Sequence, residues 1–147
     1  MPLLSPSDQQ TLRAEFAKLS RSVRLLFFTQ TLGCDTCLQT RQILDELPVL
    51  SDRIAIDEVN LVLEKDRAAQ FGVDRAPGIA IVYEDTDGTK DSRIRFAGTP
   101  AGYDFIALVQ AVLLVGGGRE STLTEESRAQ LAALDRPLAL QVFTTPT

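Results

Sequence analysis

At 147 residues, 44% apolar and 24% charged, the chain can bury the core of one compact domain and does not read as a disordered segment. A net charge of −5, a pI near 4.7 and the lack of any Lys/Arg cluster argue against a nucleic-acid or anionic-membrane surface. No apolar run approaches the ~20 residues that span a bilayer. Met1-Pro2-Leu3-Leu4-Ser5-Pro6 lacks the basic head and apolar stretch of a secretory signal, so the expected compartment is the cytoplasm.

Ser5-Pro6-Ser7-Asp8 is helix-start chemistry, and Leu12, Phe16 and Leu19 recur at helical spacing, which predicts a first amphipathic helix. Val23–Thr29 is short, apolar and bounded by polar residues, as in a buried central strand. Leu38, Arg41, Leu44 and Leu47 then follow at helical intervals up to Pro48. Residues 53–59 read as the next strand, and residues 63–71 as a short helix ended by Gly72. Strands at 79–83 and 92–97 flank Asp85-Thr86-Asp87-Gly88-Thr89, a hairpin signal, and Tyr103–Val115 is an apolar helix stopped by three glycines, Gly116 to Gly118. Beyond them, residues 122–134 suggest a helix with Thr122 and Glu125 in capping-box relation, and residues 138–144 a final strand. Val142-Phe143-Thr144-Thr145-Pro146-Thr147 echoes Leu26-Phe27-Phe28-Thr29-Gln30-Thr31, as if a second copy of the unit began there.

Between the first strand and the second helix stands Cys34-Asp35-Thr36-Cys37, holding both cysteines of the chain. In a reducing compartment such a pair is more often catalytic, redox-sensing or metal-binding than a static staple. A zinc or iron–sulfur site needs about four ligands, and with no His and no further Cys only carboxylates are left to complete one. A disulfide closing so small a loop constrains little unfolded-state entropy, which weakens a purely structural reading. A redox dithiol needs nothing more, with Cys34 as nucleophile and Cys37 as resolving thiol. Placement near a helix N-terminus favours the thiolate by about 0.3–1 kcal/mol, while the Asp35 carboxylate opposes a second negative charge. The expected potential is nearer the thioredoxin value of about −270 mV than the about −120 mV of a strong oxidant, which favours the reductase direction.

The βαβαββα order, the dithiol at the first strand-to-helix junction and Val73-Asp74-Arg75-Ala76-Pro77 before the third strand resemble a thioredoxin fold. With Gly98-Thr99-Pro100-Ala101-Gly102-Tyr103-Asp104-Phe105 added, the sequence is similar to the N-terminal unit of the glutaredoxin-like protein disulfide oxidoreductases. That family carries tandem thioredoxin-fold units and is related to the N-terminal domain of the alkyl hydroperoxide reductase flavoprotein. The resemblance covers nearly the whole chain. It implies an α/β thioredoxin-like fold, a central mixed sheet of about four strands flanked by helices, with an extra C-terminal helix and strand. Residues 1–115 would form the thioredoxin-like domain, and residues 116–147 a linker helix and the first strand of a second unit that stops at Thr147. It also implies a cis Ala76-Pro77 bond against the dithiol, with the Ala76 backbone free to pair with an extended substrate peptide.

These readings converge on a thiol-disulfide oxidoreductase acting on disulfide-containing proteins, with no organic cofactor or metal. By the same resemblance, a thioredoxin-reductase-like flavoenzyme supplies the electrons. The alternatives are an electron relay in a peroxide-reducing system and a redox-silent docking module. Arg41 is either a source of positive potential at the site or a solvated helix face, and Asp57 and Glu58 compete as a carboxylate handling protons for Cys37. Tyr83, Tyr103 and the seven Phe read as core or hairpin residues. An unpaired apolar strand at the C-terminus invites a homodimer, or folding back onto the chain's own sheet.

Overall fold

The computed structural model describes residues 2–144. In chain order the elements are α1 (Pro6–Phe16), β1 (Val23–Thr29), α2 (Cys37–Asp45), β2 (Ile54–Asn60), α3 (Lys65–Gln70), β3 (Gly78–Asp85), β4 (Gly88–Ala97), α4 (Tyr103–Val115) and α5 (Glu125–Ala132). The strands form one mixed sheet in the order β2-β1-β3-β4, with β1 parallel to β2 and antiparallel to β3, and β3 antiparallel to β4. This is the thioredoxin-like architecture implied by the sequence. Among the described residues no helix is long and apolar enough to cross a membrane.

The centre of the sheet is apolar on both faces because both faces are covered. Leu25 and Phe27 of β1 and Ile79 and Ile81 of β3 join Phe16 at the end of α1, Leu44 of α2 and Leu108 and Val112 of α4 in one core. Leu26, Phe28, Ala80 and Val82 point the other way and pack with Val59 and with Ala68 of α3. Each fully buried Phe, Leu or Ile contributes about 1.5–3 kcal/mol, so this double layer fixes the register of β1 against both neighbours. Its last residues are tied on both sides, Phe28 opposite Gly78 and Thr29 opposite Asn60.

Helix starts follow local chemistry. Ser5 caps α1 by accepting the Asp8 N–H at 3.2 Å, with Pro6 in the first turn. The buried stripe of α2 is Cys37, Thr40 and Leu44, whereas Leu38 is 71% exposed. In α5 the cap is Thr124, whose hydroxyl accepts the Ser127 N–H, so the capping box expected between Thr122 and Glu125 does not form. The expected strand at 138–144 is also absent: the segment is exposed and has no strand pairing. A strand is stable only against a partner, and no sheet edge of the described residues receives it. Thr145, Pro146 and Thr147, the end of the internal echo, lie outside the described residues.

Candidate functional site: a dithiol turn facing a cis-proline loop

The parallel pairing of β1 and β2, and the antiparallel return of β3, bring the end of β1, the end of β2 and the start of β3 to one end of the sheet. There the chain leaves β1 through residues 30–36 and enters α2 at Cys37, leaving Cys34 in the turn and Cys37 at the first helical position. The two cysteines form a disulfide with Cα atoms 5.5 Å apart. Cys37 belongs to the main core and is 6% exposed, while Cys34 is only partly buried against that core. The arrangement is asymmetric in the sense that exchange chemistry requires: another disulfide can reach the outer sulfur, and the inner one is shielded.

The loop before β3 stands at the same end of the sheet, because Gly78 pairs with Phe28. The Ala76-Pro77 peptide bond is cis. Pro77 is buried, and Ala76 packs partly buried against the same core cluster as Cys34 and Cys37. A Cβ on Gly78 would sit 2.9 Å from Val73 Cγ1 and 3.0 Å from Arg75 O, so glycine is what lets this loop fold back so tightly. The Gly98 N–H donates to Pro77 O at 2.9 Å, anchoring the loop to the end of β4.

A cavity of 310 Å³ opens beside the dithiol, lined by Cys34, Cys37, Leu38, Arg41, Glu58 and Asn60 among others. A larger apolar groove of 430 Å³ runs between α1 and α4, but neither cysteine lines it. The structure separates the two carboxylates that the sequence left in competition. Glu58 shares a cavity with the dithiol and contacts Arg41. Asp57, one residue earlier, projects from the opposite face and pairs with Arg67 of α3. Arg41 is 41% exposed and is also held by Asp45 at 2.8 Å. That hydrogen bond, reinforced by Glu58, keeps its guanidinium above the ordinary arginine range despite partial desolvation.

Two residues of the site were not read from the sequence. Thr40 is fully buried, and its Oγ1 lies 2.9 Å from both Thr36 O and Thr99 Oγ1. Thr is usually a surface residue, so neither composition nor periodicity marks it. The nearest signal was its spacing of three from Cys37 on the helix face.

These features define the class: an α/β protein of thioredoxin-like fold with a Cys-x-x-Cys pair and a cis-proline loop at one end of its sheet. Over 90% of its length the chain superposes with the N-terminal domain of alkylhydroperoxide reductase AhpF from Enterococcus faecalis, at a TM-score of 0.78 and 26% identity. A protein disulfide oxidoreductase from Aeropyrum pernix matches 88% of the chain at a TM-score of 0.73 and 23% identity, a likeness of fold. The resemblance read from the sequence to the protein disulfide oxidoreductases and the AhpF domain thus holds in three dimensions. In sequence, 75 residues are 37% identical to a Ferdinandcohnia aciditolerans protein named NADH dehydrogenase, covering 51% of this chain and 11% of that protein. The chain spans 62% and 55% of the two structures, respectively. No family model matches.

Proposed function

We propose that the chain exchanges thiols with protein disulfides in the reductase direction, the Cys34–Cys37 pair being the redox group and no metal or organic cofactor taking part. In the reduced state the Cys34 thiolate attacks a substrate disulfide, forming a mixed disulfide and releasing one substrate thiolate, which takes up a proton. Cys37 then loses its proton and attacks Cys34 Sγ. The intramolecular disulfide forms, the second substrate thiolate leaves, and two electrons have passed to the substrate. Glu58, which shares the cavity with Cys37 and is paired there with Arg41, is the proposed acceptor of the Cys37 proton, and Ala76 and Pro77 are proposed to hold the substrate backbone beside the sulfurs. The observation that carries this reading is the unequal burial of the two cysteines at one end of the sheet. The exposed Leu32 and Leu38 flanking them give a protein substrate an apolar surface to dock on.

Two electrons must return to the dithiol after each cycle, and a thioredoxin-reductase-like flavoenzyme in the cytoplasm is the proposed donor. The likeness to the AhpF domain and to a protein named NADH dehydrogenase supports that donor. It also favours a second reading, in which the chain relays electrons to a peroxide-reducing enzyme. Residues 116–147 then act as a linker helix and the beginning of a second unit, consistent with Leu131, Leu134, Leu140 and Phe143 being exposed. Insulin reduction with dithiothreitol is the test. Catalysis abolished by Cys34→Ser supports the oxidoreductase; equal rates for the two proteins would leave only a docking module.

A further inference from the structure

We propose that Thr40 and Thr99 form a two-hydroxyl relay that fastens the cysteine turn to the proline loop and sets how readily Cys34 reacts, an inference that rests on the dithiol reading above. The direction of the relay follows from proton counting. Thr40 has one hydroxyl proton and Thr36 O has none, so Thr40 donates to Thr36 O at 2.9 Å. The lone pairs left on Thr40 Oγ1 then accept the Thr99 hydroxyl, also at 2.9 Å. Thr36 O takes a further bond from the Thr40 N–H at 2.9 Å, so this carbonyl accepts twice.

That carbonyl belongs to the peptide group whose N–H is that of Cys37, which turns back towards Cys34 O at 3.5 Å. Hydrogen bonds received at one end of a peptide group strengthen donation at the other. On the loop side, the Gly98 N–H bonds Pro77 O next to Thr99. A continuous path therefore runs from Pro77 through Gly98, Thr99, Thr40 and Thr36 into the cysteine turn. Back-bonding by a helical threonine needs only the carbonyl four residues earlier. The bond to Thr99, 59 residues away, goes beyond that and joins the two halves of the site. It keeps a hydroxyl in a fully buried position where valine would otherwise fit.

The charged groups beside Cys34 are Asp35 in its own turn and, lining the same cavity, Arg41 of α2 and Glu58 of β2. Substitutions at 40 and 99 leave all three in place. The experiment measures iodoacetamide alkylation of Cys34 in the reduced protein as a function of pH, with thermal melts alongside. Thr40→Val is expected to react roughly threefold more slowly at neutral pH with its midpoint moved upward, the scale of a modest cooperative strengthening. Thr99→Val should move the same way by less, and the double variant should match Thr40→Val because the relay runs in series. Thr40→Ser and Thr99→Ser should restore the wild-type profile. Valine variants with a wild-type pH profile overturn the relay, whatever happens to their melting temperature. Should Thr40→Val not fold, the half-buried Thr99→Val carries the decision alone. Alkylation needs only the free thiol, so a wild type that fails to reduce insulin sinks the oxidoreductase reading while the relay is still measured.

Discussion

Replacing Gly116 by alanine sets two effects of opposite sign against each other. Its φ of −78° is open to any residue, so alanine should stabilise by about 0.4–1 kcal/mol through the unfolded chain. The new Cβ, however, would overlap Leu19 Cδ2 and stand 3.0 Å from Val23 Cγ2 and Val112 O. Carbon atoms prefer about 3.5–4.0 Å, and Leu19 and Val23 are 4% and 1% exposed, with nowhere to retreat. Overpacking costs about 1–3 kcal/mol, and overlap with a buried side chain places this site in the upper half of that range, about 2–3 kcal/mol, so the expected net loss is about 1–2.5 kcal/mol. In a domain of this size that lowers the melting temperature by about 3–10 °C. Urea unfolding followed by circular dichroism measures it directly. Cys34 alkylation should stay unchanged, because the Ser20–Gly116 contact lies before the start of β1 and the dithiol follows its end. A variant as stable as the wild type would refute the claim that the α4 terminus is packed to contact.

Three further outcomes are expected. After reduction, limiting iodoacetamide should label Cys34 well before Cys37, read by peptide mass spectrometry; comparable labelling would contradict the burial difference. Asp91 is held below the ordinary aspartate range, chiefly by its hydrogen bond to Arg95, with desolvation working against it. A lowered folded-state value adds stability that is complete above pH about 4 and lost as pH falls through that value. Denaturation titrations should therefore show wild type and Asp91→Asn converging below pH about 4, and a gap that widens on acidification would reverse the sign. Finally, α5 buries no side chain and residues 128–144 are exposed, so deleting residues 119–147 should barely change the melting temperature. If the exposed Leu138, Leu140, Val142 and Phe143 pair between copies, light scattering should show a dimer that the deletion abolishes. A monomeric full chain with fast amide exchange through 138–144 rules that association out.

Elements whose pattern is local were legible in the sequence. The Ser5 cap, the apolar run of β1, the Asp-Gly hairpin and α4 each announce themselves within a few residues; β1 and α4 fall on their expected bounds, and the hairpin strands within four residues of theirs. The cysteine turn could be placed for the same reason. The helical spacing of Leu38, Leu44 and Leu47 marked α2 but not which of them it buries: Leu44 and Leu47 are in the core, while Leu38 is exposed beside the cysteines. The strand at 138–144 misled because an apolar, strand-like run becomes a strand only where a second backbone accepts its hydrogen bonds.

What the sequence determined by itself was which segments are apolar, which turn, and that two thiols lie three positions apart on the chain at the mouth of a helix. The tertiary structure decided which thiol is shielded, which of two adjacent carboxylates shares the cavity, and that Thr40 meets Thr99 across 59 positions. Those outcomes depend on the order in which strands pair and on which face each helix covers. They are contacts between distant parts of the chain, and neighbouring residues carry no record of them.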